Sequence, residues 1–142
     1  MGRAWKAANG EVLLVEAKAH IDEICSDGSD AGPAPRSKIE TALAETILHL
    51  RAKPRAPWID TFFQLANRLA HLHFLRRNGV DARLVLVNFI DDVEMRGPST
   101  PAEWEAAYRV VYHVMGIPAR NQMASFVHRI YPSVKELTSS GV

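Results

Sequence analysis

Between two stretches of helical pattern lies Ala82-Arg-Leu-Val-Leu-Val-Asn-Phe-Ile90, a run with almost no alternation of apolar and polar residues. It is too short for a helix of ordinary length and rich in aliphatic and β-branched residues, so it is expected as a strand. A strand that is apolar at successive positions, rather than at every second one, is the pattern expected where both faces of a sheet are covered. Set among amphipathic helices, such a strand calls for a single α/β domain with a mixed sheet.

The rest of the chain supplies the other elements. Asn9-Gly10 is a two-residue hairpin signal, since both residues tolerate positive φ. It is expected to join a strand over about Arg3–Ala8 to one over Glu11–Ala19, with Ala8 facing Glu11 and therefore Arg3 facing Glu16. Residues 26–36 have loop composition, and Ser37-Lys-Ile-Glu40 has capping-box spacing that is expected to open a helix. Ile39, Leu43, Ile47 and Leu50 repeat along that helix at its period, and Pro54 ends it. A second helix is expected from about Trp58 to Asn78, stopped by Gly79, with Phe62, Leu65, Ala66, Leu69 and Leu72 as its apolar stripe. Thr100-Pro101-Ala-Glu103 opens a third, running to about Met115 before Gly116 and Pro118. Ser125–Tyr131 is expected as an edge strand closed by Pro132. The domain then occupies residues 1–135, and 136–142 form a polar, frayed tail.

Bulk properties narrow the function classes without choosing one. The 142 residues are enough for one domain with a sizeable core, and the formal net charge is only +1. A nucleic-acid partner therefore has to be argued from local patches. The single cysteine, Cys25, allows no intramolecular disulfide, which fits a cytoplasmic protein. No apolar stretch approaches the about 20 residues of a membrane helix, so no membrane association is expected. A homodimer is expected if so small a domain is to grip a duplex.

The polar residues that stand out begin at the end of the apolar run Val12–Val15. There Glu16, Lys18 and His20 alternate with Ala17 and Ala19, so on a strand all three share one face. A carboxylate and an ammonium at the tip of a buried strand are costly unless paired or used. Gln64, Asn67, Arg68 and His71 follow helical spacing opposite the apolar stripe, either as a solvated face or as a row toward a site. Asp91, Asp92 and Glu94 follow the buried strand, where acids either shape a turn or hold a cation. The basic pairs and runs Arg51, Lys53, Arg55 and Arg76-Arg77 are candidate phosphate contacts, the latter pair alternatively complementing a helix C-terminus. Trp5, Trp58 and Trp104 are expected as core or interface anchors.

A hairpin whose second strand ends in Glu16-Ala17-Lys18, followed by helices and a buried strand, resembles the PD-(D/E)XK nuclease superfamily over roughly residues 3–90. The resemblance implies a restriction-endonuclease-like fold and a Mg²⁺-dependent (or Mn²⁺-dependent) nuclease that hydrolyses phosphodiester bonds of DNA or another nucleic acid. It implies Glu16 as metal ligand, the backbone carbonyl of Ala17 as another, and Lys18 beside the attacking water, with Gln64, Arg68 and His20 toward the substrate. Oxygen ligands suit so hard a cation, which lowers the pKa of bound water and stabilises charge in an in-line displacement. The pattern also requires an Asp on the strand before Glu16, and residues 1–10 contain neither Asp nor Glu. Either that strand's acid lies upstream of this chain, or another acid such as Glu40 or Glu45 replaces it, or the fold serves as a non-catalytic nucleic-acid-binding or assembly module.

Overall fold

The computed structural model describes residues 2–25 and 27–141. Strand β1 (Gly2–Lys6) runs antiparallel to β2 (Val12–Lys18), which lies parallel to β3 (Ala82–Asn88), itself parallel to β4 (Val127–Ile130). The sheet order is β1-β2-β3-β4, so among the described residues this is one mixed four-stranded sheet. Helices α1 (Pro33–Leu50) and α2 (Phe63–Arg77) connect β2 to β3, and α3 (Pro101–Met115) connects β3 to β4. Both crossovers step in the same direction across the sheet, and crossovers share one hand, so their helices belong on one side.

That side holds the core. Leu14, Ala82, Leu84 and Leu86 from the sheet pack with Leu43 and Leu50, with Leu65, Leu69 and Leu72, and with Trp104, Tyr108 and Met115 from the helices. The opposite face carries Leu13, Val15, Ala17, Val85 and Val87, all half-exposed, with Trp5 and Ile130 more exposed still. The expectation that β3 is covered on both faces is thus corrected. Alternation is present in burial although it is muted in sequence, because the uncovered face is also apolar.

Four further expectations change, the first being that α2 opens at Phe63 rather than about Trp58, with Phe62 left-handed at its N-cap. The hairpin places Gly2, not Arg3, opposite Glu16, and Arg3 pairs with Val15. The cause is the turn: Ala7 N–H donates to Glu11 O and Gly10 N–H to Ala7 O, so the loop is three residues ending in Gly10 at φ +87°. This is the three-residue hairpin type, in which the last position takes the left-handed conformation. The one-residue slip moves Arg3 to the face away from Glu16. Helix α1 opens at Pro33 rather than Ser37, because prolines suit a first turn whose N–H groups have no helical partner. Residues 134–139 form a short helix, α4 (Val134–Ser139), rather than a frayed tail from 136; its Val134 N–H donates to Ile90 O.

Elsewhere the expected signals operate. Gly79 and Gly116 stop α2 and α3 at φ +79° and +69°, and Thr100 caps α3 by accepting from Glu103 N–H. Strand β4 forms inside the expected 125–131 segment.

Candidate functional site

Period-2 geometry puts Leu14, Glu16 and Lys18 on the covered face of β2, so two charged groups enter the layer between sheet and helices. Glu16 is 4% exposed and Lys18 6%. Lys18 Nζ lies 2.9 Å from Glu16 Oε1. It also donates to Glu23 O at 2.9 Å and to Gln64 Oε1 at 3.1 Å. Two of its three donors are thus used in hydrogen bonds, while Glu16 Oε1, buried and without a hydrogen bond among the described residues, is held by the charge of the ammonium. The other carboxylate oxygen, Glu16 Oε2, accepts from Arg68 Nε at 2.8 Å.

The row along α2 is therefore not a plain solvated face. Gln64 and Arg68, one turn apart, reach down to Lys18 and Glu16, and Asn67 joins them around a pocket of about 220 Å³. Gly2 completes its wall. A Cβ at Gly2 would fall 1.6 Å from Arg68 Nη2, so the absence of a side chain there lets the guanidinium lie across β1 to meet Glu16. Burial on its own would raise the Glu16 pKa, but the Lys18 ammonium and the Arg68 guanidinium outweigh it and hold the carboxyl below its ordinary 4.5. One carboxylate against two cations leaves the cluster with net positive charge.

Beside it sits a second polar group that the sequence reading did not single out. Asn88 pairs across the sheet with Lys18 and is fully buried; Tyr108 O–H donates to its Oδ1 at 2.7 Å, and its Nδ2 donates to Leu86 O. Burial raises the Tyr108 pKa strongly, so the phenol stays protonated and donating. The signal was available in Leu84, Leu86 and Asn88, spaced two apart, but the apolar residues between them hid the alternation.

Other candidates lie elsewhere. His20 does not join Glu16 and Lys18, although strand parity put it on their face. The strand ends at Lys18, the chain turns into a 3₁₀ segment at Ile21–Ile24, and His20 lines a separate cleft with Ile21, Asp22, Arg96 and Glu103. Glu23, whose carbonyl oxygen meets Lys18, spends its carboxylate on Ala19 N–H and His20 N–H. Asp91 accepts from Ser133 O–H, and Asp92 accepts from Met95 N–H, so these acids shape the turn. Glu40 and Glu45 pair with Arg36 and Arg77. Arg76 bonds Ala82 O and Asp81 and lies over Phe126.

Part of the Arg51–Arg55 run, the main chain at Lys53 and Arg55 and the Arg55 side chain, has a structural task. The last carbonyls of α3 have no helical partners, and the loop supplies them. Lys53 N–H donates to Gly116 O, Arg55 N–H to Val114 O, Arg55 Nη1 to His113 O and Trp58 Nε1 to Met115 O.

Among the described residues no group of three or more His, Cys, Asp or Glu side chains is placed to hold a metal. The Glu16 cluster as it stands does not fit a Mg²⁺ ion, because both oxygens of its single carboxylate face cations and a dication would have to displace Lys18 or Arg68. No described helix is long and apolar enough to cross a membrane. The chain matches no family model, no curated protein and no solved structure.

Proposed function

We propose that this chain is a nucleic-acid-binding module on a restriction-endonuclease-like fold, and that the Arg68 pocket receives a backbone phosphate. The observation that carries the reading is the net positive cluster of Glu16, Lys18 and Arg68, roofed by the amide side chains of Gln64 and Asn67. Glu16 anchors the Arg68 fork through Nε, which leaves the rest of a planar donor set at the pocket. Lys18, 6% exposed, donates to Gln64 Oε1 and Glu23 O and faces Glu16 as an ion-pair partner, so it acts by holding these groups in place. The partner is DNA or RNA, and a homodimer would present two such pockets to one duplex.

A Mg²⁺-dependent nuclease is the second reading. It is supported by Glu16 and Lys18 sharing one strand face with Nζ and Oε1 at 2.9 Å. It requires a second acid.

Binding of labelled single- and double-stranded DNA and RNA, followed by anisotropy at several salt concentrations, tests the first reading. Arg68→Gln is expected to weaken binding of all sequences alike and to lower the salt slope by about one phosphate contact. Gly2→Ala, which keeps every charge but puts a methyl where the guanidinium lies, is expected to act in the same direction. Unchanged affinity and slope in both variants would overturn it. Cleavage of the same oligonucleotides with Mg²⁺ or Mn²⁺, abolished by Lys18→Ala, would replace it with the nuclease reading.

A further inference from the structure

A second polar pocket lies between α3 and the edge strand β4, built on different residues. Glu105, Tyr108 and Tyr112 follow one another at helical spacing along α3, and Arg129 of β4 reaches over them. Its guanidinium carbon lies 4.9 Å from the Tyr108 ring centre and 5.4 Å from that of Tyr112. Its Nε is 3.6 Å from Glu105 Oε1, beyond hydrogen-bond distance, and that oxygen is already engaged by Tyr131 O–H. Among the described residues Arg129 is thus held by two aromatic faces and a loose ion pair, and no hydrogen bond occupies its fork. This is an unusual state for a guanidinium whose side chain is only 27% exposed.

The space above it is a pocket of about 330 Å³, continuous in its lining with a smaller cavity of about 80 Å³. Tyr112, Ile117, Ala119 and Arg129 line both. Arg109 and His113 stand at the exposed side of the larger one. A few hundred Å³ with aromatic and apolar walls and a few polar groups, here Arg129 with Glu105, Arg109 and His113, is the usual make-up of a small-molecule site. Both phenols are raised by burial, so neither competes as an anion.

We infer that this pocket binds a small organic anion, with a carboxylate or phosphate group on the Arg129 fork and a flat apolar body against Tyr112, Ile117 and Ala119. The fork matches such groups with two parallel hydrogen bonds. The aromatic faces fix the guanidinium in advance, which lowers the ordering cost of binding. Arg109 adds attraction at the mouth, while Glu105 is turned to Tyr131.

Benzoate and inorganic phosphate, titrated separately into the full chain, test this. Benzoate is expected to saturate with a dissociation constant on the order of millimolar, as suits a fragment. It should shift the Ile117 and Ala119 amide and Arg129 Nε–H resonances of the unmodified protein. Arg129→Met should weaken it at least tenfold, Arg129→Lys by less, and Arg68→Gln not at all, which separates this site from the phosphate pocket proposed above. Failure of benzoate to saturate, shifts confined to other residues, or equal binding by Arg129→Met would overturn the site. Saturation by phosphate alone would overturn the apolar body of the ligand.

Discussion

Glu16 remains ionised between sheet and helices because Lys18 and Arg68 outweigh the burial that would neutralise it. Its folded pKa lies below the ordinary 4.5, so its contribution to stability is full above that pH and is lost as the pH falls through the folded value. Acid unfolding followed by urea titration at successive pH values is expected to show this as a loss of stability below about pH 4.5. Glu16→Gln should be less stable at neutral pH by about 3 kcal/mol, since it leaves two cations facing each other without an anion. Its stability should also vary less through the acid range; an acid limb as steep as the wild type's would show that Glu16 is not the group responsible. That Glu16 and Lys18 share a face follows from the strand period alone. That Arg68, 52 residues further on, closes the pair depends on Gly2 leaving room for it, and nothing near Gly2 in the chain signals this.

The elements were readable where their signals are local. Thr100-Pro101 and Gly116 delimit α3, and the stripe Leu65, Ala66, Leu69 and Leu72 of α2 is buried as its period requires, with Phe62 buried at the N-cap instead. The hairpin shows how little separates a right from a wrong register: a loop of three residues instead of two exchanges Gly2 for Arg3 opposite Glu16. The C-terminus of α3 shows what local signals omit. Its carbonyls are satisfied by the 53–58 loop through the main-chain N–H groups of Lys53 and Arg55, the Trp58 indole and, of the basic side chains, that of Arg55. Gly116 is where the two segments meet. It has φ +69°, and a Cβ would fall 1.9 Å from the Lys53 carbonyl oxygen. Gly116→Ala combines an unfavourable conformation with a clash against main chain and is expected to cost about 2 kcal/mol or more. Chemical denaturation measures it, and a change below about 0.5 kcal/mol would be that of an ordinary surface substitution.

The assembled molecule is a sheet with helices on one side, and this asymmetry has a direct energetic consequence. Leu84 and Val85 are neighbours in β3 and similar in hydrophobicity, yet Leu84 is fully buried under the helices while Val85 faces outward. Leu84→Ala is expected to cost about 2–5 kcal/mol, and Val85→Thr less than about 1 kcal/mol. Comparable losses at the two positions, read from denaturant midpoints, would mean that the outer face is covered in solution. From the residues alone came the α/β class, the strand and helix order, the caps, and the placing of Glu16 with Lys18, because each rests on backbone periods and turn chemistry that act within a few residues. Which face of the sheet the helices cover, how the hairpin is registered, and which distant side chains meet the charged pair were settled by packing. Crossover direction, loop length and the space left by a glycine act between segments far apart in the chain, and no local pattern encodes them.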